Sequence, residues 1–311
     1  MRIAEFLEEL FLDLIQDVEP TPSQKEDAQR THHTLRYRLD SGNIGLRIID
    51  SYLSGSYVRH TAIAPLDDVD IIFLIDPSKW PRGFLADKPS PSVVLTTFER
   101  AIRYRYPDSV VQRQRRSVGL ALHKMHIDVV PAILESSESG RIYVLDSETE
   151  EWILSAPRVH AEHTTRVNKQ REGRFVPLVK VLKFWNKRLP STACLKSFTI
   201  ETTAVRLFSE VGFSSFTEGA LLFFDFLAQF AGEARQNWRS DFGIKLSRWA
   251  WTPTVLDVAG TGSNLVAGLE EQRRVKFLQH AVSSRNRLFE ALDARTPERC
   301  ENRFQAAFRI Y

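Results

Sequence analysis

SGSYVRHTAIAPLDDVDIIF, residues 54–73, joins a Gly-Ser turn to a hydrophobic strand that begins with carboxylates. Side chains alternate between the two faces of a strand, so Asp68 and Asp70 share one face with Ile72. At a rise of about 3.3 Å per residue, the two aspartates lie about 6.5 Å apart. Burying such a pair of charges without compensation costs several kcal/mol. We therefore expect a divalent cation here, and Mg²⁺ takes carboxylate oxygens while keeping positions for phosphate.

A second predicted strand supplies a third carboxylate. It reads HKMHIDVVPAI, residues 123–133, and Asp128 stands inside its apolar run. If this strand runs beside the first, three carboxylates converge around two Mg²⁺ ions, for which Mn²⁺ is the expected substitute. Such a centre clamps the attacking and leaving oxygens of an in-line phosphoryl or nucleotidyl transfer. The sequence therefore predicts that Asp68, Asp70 and Asp128 are catalytic metal ligands.

The Gly-Ser turn fits the same chemistry. Gly55 lets the backbone approach a ligand closely. Ser56 offers a hydroxyl and an N–H group to phosphate, and successive N–H groups of a turn form an anion-binding nest. Each feature alone has a structural explanation, because D-x-D pairs and Gly-Ser turns are common and backbone N–H groups can satisfy Asp128. The combination indicates a nucleotide site.

Composition limits the alternatives. The chain has 311 residues, 43% of them hydrophobic, with 42 Lys and Arg against 39 Asp and Glu, for a net charge of +3. This near balance does not indicate a protein that coats nucleic acid, although a local basic groove stays open. The two cysteines, Cys194 and Cys300, form no C-x-x-C pair, so a cysteine-rich zinc module is excluded.

The first 20 residues predict an amphipathic helix. Acidic residues interrupt its apolar positions, among them Glu5, Glu8 and Asp13. This pattern argues against a signal peptide and a membrane span, so we expect a cytoplasmic protein without membrane contact.

The pattern of elements changes near residue 156. Residues 1–155 mix helices and strands, whereas 156–311 read mostly as helices, for example at 176–189, 197–211, 217–234 and 269–292. We therefore predict an α+β catalytic lobe over 1–155 packed against an all-helical lobe over 156–311, with the active site in the cleft between them.

The motifs resemble a known family. GSYVRHTAI followed by DDVDIIFLI is similar to the nucleotidyltransferase superfamily with a DNA polymerase β-type palm, a mixed sheet with helices. The finer pattern G-S-x-x-R-x-T-A resembles the branch of oligoadenylate synthase, cyclic GMP–AMP synthase and the bacterial CD-NTases of anti-phage signalling. The resemblance implies that Gly55 and Ser56 bind the donor triphosphate. It also implies that Arg59 and Thr61 hold the turn in place.

The helical half extends the resemblance. VPLVKVLKFWNKRL, residues 176–189, is similar to the family's K-(Y/F)-W helix, which implies that Lys183 reaches the donor phosphates. LKSFTIETTAV, residues 195–205, resembles the next helix start, which implies phosphate binding by Ser197 and base stacking by Phe198. Alternatively, Ser197 is a helix N-cap and Phe198 a core residue. LDVAGTGSNLV, residues 256–266, departs from the family's D-P-x-x-x-x-N-V pattern at Val258, so Asp257 receives no catalytic role.

The resemblance implies a synthase that joins ATP or other nucleoside triphosphates into a cyclic di- or oligonucleotide second messenger, with activation by a partner protein as one option. Three alternatives stay open: a linear product, transfer to tRNA or a small molecule, and a non-catalytic nucleotide-binding scaffold. Nucleic-acid binding is undecided and would not use a zinc module.

Overall fold

The computed structural model describes residues 2–40, 45–66, 68–81, 87–123, 125–136, 140–244 and 255–310. The chain divides into two compact units. The first, Pro20–Glu162, is called the sheet unit below. The second joins Met1–Glu19 to His163–Tyr311 and is called the helical unit.

Seven strands of the described residues form one sheet in the sheet unit. The strands are β1 Ile48–Leu53, β2 Asp68–Ile75, β3 Val110–Arg113, β4 Val118–Leu122, β5 Met125–Leu134, β6 Ile142–Asp146 and β7 Glu151–Ser155. β5 is the central strand, because it pairs in parallel with β2 and antiparallel with β4 and β6. The order is β1-β2-β5-β4-β3, and β7 extends the sheet from β6.

Three α-helices lie wholly within the described part of this unit: α2 Pro22–Asp40, the single turn α3 Gly55–Val58, and α4 Pro91–Arg105. Ser90 caps α4 by accepting a hydrogen bond from the Val93 N–H, and Pro91 occupies the first turn. Leu35 and Phe98, from α2 and α4, are buried in one hydrophobic cluster with the sheet. The helices therefore cover one face of the sheet.

The alternation predicted for β2 is confirmed. Its odd-numbered residues, such as Val69 and Ile71, lie in the cluster beneath α2 and α4. Ile72 and Leu74 lie in a smaller cluster on the other face. Asp68 and Asp70 belong to this second face by the same alternation.

Seven helices make up the described helical unit or enter it: α1 Ile3–Val18, α5 Pro157–Gln170, α6 Phe175–Lys187, α7 Ser197–Glu210, α8 Phe216–Gln229, α9 Glu271–Leu292 and α10 Pro297–Phe308. The division between the units falls within α5. The core is aromatic: Trp185 packs edge-on against Phe224 and Phe277, with ring centroids 4.9 and 5.4 Å away. An ion pair between Asp225 and Arg285, 2.8 Å apart and almost fully buried, lies in the same unit.

The observed division differs from the predicted one at the N-terminus. Residues 1–155 were expected in one lobe, yet α1 belongs to the helical unit. Phe11 of α1 makes edge-on contacts with Phe304 and Phe308 of α10, at 5.0 and 5.4 Å. The apolar stripe of α1 predicts an amphipathic helix correctly, but a stripe does not specify which core covers it.

No helix within the described residues has the length and apolar character needed to cross a membrane. Both cysteines are free thiols, Cys194 half-buried and Cys300 buried.

Candidate active site

The three predicted carboxylates lie on neighbouring positions of one sheet face. In the parallel ladder of β2 and β5, Asp70 is the direct partner of Asp128, and Asp68 is the partner of His126. Neighbouring strands are about 4.8 Å apart, and paired residues of a parallel ladder point to the same face. The structure therefore brings together the D-x-D pair and the later aspartate, which are 58 residues apart in the chain.

Burial changes along this face. Asp68 is exposed, and Asp70 and Asp128 are half-buried. Ile72 and Leu74, further along β2, are buried. The carboxylates thus occupy the open end of a face that becomes hydrophobic core a few residues later, which makes them accessible to a ligand but partly desolvated.

The surroundings of Asp128 disfavour its ionised form. Burial raises the pKa of the Asp128 carboxyl, and the negative charge of Asp68 raises it further. Hydrogen bonds from Gln114 and Ser117 act in the opposite direction. A bound cation would remove the repulsion between Asp68 and Asp128.

The donor set fits a divalent metal that prefers oxygen. Three carboxylates on adjacent positions match the ligands of Mg²⁺, which usually keeps several waters or phosphate oxygens in its coordination shell. Among the described residues, no group of three or more His, Cys, Asp and Glu side chains is already arranged to hold a metal ion.

The Gly-Ser turn lies directly against Asp70. Gly55 has φ +64°, and a Cβ atom added there would overlap the Asp70 carboxylate, at 2.9 Å from its Cγ. The Ser54 N–H donates a 2.8 Å hydrogen bond to the Asp70 carbonyl. Glycine is thus required here for two reasons, a left-handed backbone and the close approach of the turn to a carboxylate.

The chain after the turn is fixed by backbone hydrogen bonds. The Ser56 carbonyl accepts from the N–H groups of Thr61 and Ala62, at 2.9 and 3.0 Å. Thr61 is completely buried, and the Arg59 N–H donates to the Gly55 carbonyl. These contacts agree with a structural role for Thr61 and for the backbone of Arg59.

The other predicted nucleotide-binding residues lie in the helical unit. Lys183 of α6 is only 4% exposed, and its Nζ lies 3.7 Å from Oε2 of Glu201, a buried residue of α7. The sequence interpretation did not single out Glu201, whose helical position next to buried apolar residues gave no sign of a charged pair. Phosphate binding by Lys183 stays a prediction.

The start of α7 differs from one of the two interpretations of Ser197. Lys196 is the N-cap residue and Ser197 is the first helical residue, so Ser197 is not the cap. Phe198 is half-buried rather than a core residue. Contacts of Ser197 with phosphate and of Phe198 with a base stay predictions.

Asp257 and Asn264 organise a loop. The Asp257 carboxylate accepts hydrogen bonds from the Ala259 N–H at 3.1 Å and the Thr261 hydroxyl at 2.6 Å. The Asn264 side-chain oxygen accepts from the N–H groups of Val255 and Val266. These bonds explain both polar residues structurally and agree with the absence of a catalytic assignment for Asp257.

Family comparison identifies the chain. The model of the SMODS family, the Second Messenger Oligonucleotide or Dinucleotide Synthetase domain, matches residues 6–168. This stretch is just over half of the 311 residues and contains the Gly-Ser turn and all three aspartates. The chain belongs to the SMODS family, the CD-NTases. The resemblance drawn from the sequence motifs is thereby confirmed.

Relatives and solved structures of CD-NTases agree with the fold. A cyclic AMP-AMP-AMP synthase of Acinetobacter sp. (strain ATCC 27244 / 9458) is 37% identical over 187 residues, 57% of this chain and 51% of that relative. The chain spans about half the length of the curated relatives it matches.

E. coli MS115-1 CdnC, solved with ATP, is 20% identical with a TM-score of 0.72, covering 98% of this chain and 96% of that one. The same protein in complex with HORMA-deltaN gives 19% identity, a TM-score of 0.72, and coverage of 98% and 95%. These likenesses confirm the predicted α+β nucleotidyltransferase fold.

Proposed function

We propose that this CD-NTase joins nucleoside triphosphates into a cyclic di- or oligonucleotide second messenger and releases pyrophosphate. The observation that carries the proposal is the β2–β5 register, in which Asp70 lies beside Asp128 while the Gly55 backbone lies against the Asp70 carboxylate. One small region of the sheet unit thus combines a carboxylate row with a turn that approaches it closely.

In this proposal Asp68, Asp70 and Asp128 hold two Mg²⁺ ions, with Mn²⁺ as a substitute. When bound, the ions stabilise the charge on the attacking and leaving oxygens of an in-line transfer. The raised pKa of Asp128, caused by burial and by Asp68, supports the assignment because a cation would relieve the same repulsion.

The turn supplies the phosphate contacts. Gly55 has no side chain, so a triphosphate can approach the backbone beside Asp70. The N–H and hydroxyl groups of Ser56 are the donors we assign to phosphate oxygens. In the helical unit we assign Lys183 and Ser197 to phosphate binding, and Phe198 to stacking on a base.

The reaction follows from these positions. A ribose hydroxyl of one nucleotide attacks the α-phosphorus of another, a P–O bond forms, and the bond to pyrophosphate breaks. The hydroxyl proton passes to Asp128 or to water. A second transfer within the linear intermediate closes the ring.

ATP is the substrate we favour. The Acinetobacter relative is a cyclic AMP-AMP-AMP synthase, and CdnC of similar fold was solved with ATP. A purine also gains the most from stacking on an aromatic ring such as Phe198, about 1–3 kcal/mol per base. At least one adenine nucleotide in the product is therefore expected.

A partner protein is the expected activator. CdnC was solved in complex with a HORMA protein. By family analogy we propose that this CD-NTase acts in cytoplasmic anti-phage signalling and is switched on by a protein of that kind.

Three other functions would use the same site. A linear oligonucleotide keeps a 5′-triphosphate, transfer to tRNA or a small molecule needs that acceptor, and a scaffold would bind nucleotide without turnover. The cyclic product is favoured because the family description and the relative's name both specify second-messenger synthesis.

The test is a product assay. The full chain, alone and with a HORMA-domain protein, is incubated with Mg²⁺ and ATP labelled at the α-phosphate, and the products are treated with phosphatase. A resistant labelled product is expected from triphosphates alone. A phosphatase-sensitive ladder would establish the linear alternative, and label transferred only to an added tRNA or small molecule would establish acceptor transfer.

The matched control is the double variant Asp68→Asn with Asp70→Asn. It should make no product while keeping its fold, since both substitutions remove repelling charges and leave the side-chain shapes unchanged. Undiminished synthesis by this variant would refute the metal assignment. Nucleotide binding without any product, unchanged in the double variant, would instead indicate a scaffold.

A further inference from the structure

Gln114 reaches the third carboxylate from two strands away. It follows β3 directly, and its Nε2 donates a 2.9 Å hydrogen bond to Oδ1 of Asp128 on β5. β4 lies between these strands, and the β4 partner of Asp128 is Gly119. The amide of Gln114 therefore crosses β4 at Gly119 to reach the carboxylate row.

The absence of a side chain at Gly119 opens this passage. A Cβ atom there would lie 2.9 Å from the Gln114 Nε2 and 3.6 Å from the Asp128 Oδ1. The first distance is too short for a carbon beside an amide nitrogen. Glycine at 119 is thus explained by the contact between Gln114 and Asp128 rather than by a left-handed backbone.

The amide is held at both ends. A carboxylate can only accept, so the NH₂ group of Gln114 must face Asp128 and its Oε1 must face the other way. Oε1 accepts a 2.9 Å hydrogen bond from the Ser117 hydroxyl, and the Gln114 N–H donates to the Ser117 carbonyl, also at 2.9 Å. The hydrogen bonds therefore run in one direction, from Ser117 through Gln114 to Asp128.

The side chain that donates to Asp128 is uncharged. Residues 113, 115 and 116 are all arginines, yet the side chain aimed at Asp128 is the neutral glutamine between them. An arginine in this place would neutralise the carboxylate and compete with a metal ion. A neutral donor orients the carboxylate and leaves its negative charge available.

We infer that Gln114 is a positioning residue for Asp128: it holds Oδ1 so that Oδ2 is presented to a cation on the face shared with Asp68 and Asp70. The inference rests on the proposed function of these aspartates as metal ligands. Ser117 and Gly119 support this arrangement. Ser117 hydrogen-bonds the amide oxygen of Gln114, and Gly119 leaves room for the amide to reach Asp128. Without Gln114, repulsion from Asp68 would turn the Asp128 carboxylate away.

The test compares Gln114→Met with Gln112→Met. Methionine matches glutamine in length but lacks the donor, and Gln112 is an exposed residue of β3. Mn²⁺ binding to the full chain without nucleotide is measured by electron paramagnetic resonance, and folding is checked by thermal unfolding without metal. Outer-shell partners of metal ligands typically affect metal affinity 10–100-fold. We expect about tenfold weaker Mn²⁺ binding for Gln114→Met and no change for Gln112→Met.

Two further variants keep the outcomes distinct. Ser117→Ala removes the hydroxyl that anchors the Gln114 amide, together with the hydrogen-bonding influence of Ser117 on Asp128. It should weaken binding by about twofold to threefold, so it is the substitute test if Gln114→Met does not fold. Asp128→Ala tests the underlying site: if it binds Mn²⁺ as well as the natural chain does, the proposed metal site is wrong. A different result would overturn only the role of Gln114. In that case Asp128→Ala loses Mn²⁺ binding, whereas Gln114→Met and Ser117→Ala fold and keep an affinity for Mn²⁺ within about 1.5-fold of that of the natural chain.

Discussion

Gly55→Ala probes the contact between the Gly-Ser turn and the carboxylate row. Two costs are expected. The left-handed backbone at φ +64° costs about 1 kcal/mol for alanine. In addition, the new Cβ would overlap the Asp70 carboxylate, and relieving such overpacking costs about 1–3 kcal/mol.

Gly45 provides the matched control. Its φ is +77°, and no atom of the described residues lies within 4 Å of a Cβ built there. Gly45→Ala should therefore lose only the backbone cost of about 1 kcal/mol, whereas Gly55→Ala should lose about 2–4 kcal/mol. Urea unfolding of both variants gives the difference in the free energy of unfolding.

A double-mutant cycle with Asp70→Ala isolates the contact. This change removes the carboxylate and leaves only the Asp70 Cβ, 3.3 Å from the added carbon. The cost of Gly55→Ala should then fall to that of Gly45→Ala, a coupling of about 1–3 kcal/mol. In the presence of Asp70, Gly55→Ala should also reduce product formation about 100-fold or more, because it displaces a metal ligand. Equal costs for the two glycines and a coupling below about 0.5 kcal/mol would refute the reasoning.

Three other variants test charges elsewhere. Because the folded state raises the pKa of Asp128, ionisation of this residue destabilises the fold at pH values above its unfolded-state pKa of 3.8. Asp128→Asn should therefore raise the midpoint of thermal unfolding at pH 7 without metal. The gain should vanish below pH 3.8. Burial raises the pKa of Asp146, but hydrogen bonds from Arg115 and Arg116 outweigh this effect and hold the pKa at about 2. Asp146→Asn should therefore lower the free energy of unfolding by about 1–2 kcal/mol at pH 7. This difference should disappear as the pH falls from 3.8 through 2. Lys183→Ala should lower the free energy of unfolding by about 3 kcal/mol, because it removes the ammonium group paired with the buried Glu201. Adding Glu201→Gln should recover stability but not nucleotide binding. An unchanged urea midpoint in Lys183→Ala would contradict the buried pair.

The sequence identifies the reactive side chains of the site better than it identifies the residues and strand pairings that position them. Alternation in β2 places Asp68 and Asp70 on one face, and a short apolar run identifies Asp128, because both signals are local. The pairing of β2 with β5 is not local, and it is what makes the three aspartates neighbours. The role of Gln114 cannot be identified from the sequence, since its arginine neighbours dominate the local pattern and its target lies two strands away.

The sequence interpretation left out three elements, β7, α5 and α10. β7 is a short strand of exposed or half-buried residues, and α5 and α10 are polar overall, although α10 buries Cys300, Phe304, Ala307 and Phe308 along one side. The placement of α1 with the helical unit likewise depends on Phe11 meeting Phe304 and Phe308, nearly 300 residues away. Local periodicity defines such a helix but not its partner.

The most direct measurement is anomalous diffraction from crystals of the full chain grown with Mn²⁺ and a non-hydrolysable ATP analogue. The account predicts Mn²⁺ peaks about 2.0–2.2 Å from carboxylate oxygens of Asp68, Asp70 and Asp128, with the analogue's phosphates against the backbone of Gly55 and Ser56. Mn²⁺ bound away from these carboxylates, or phosphates held without contact to the turn, would contradict it.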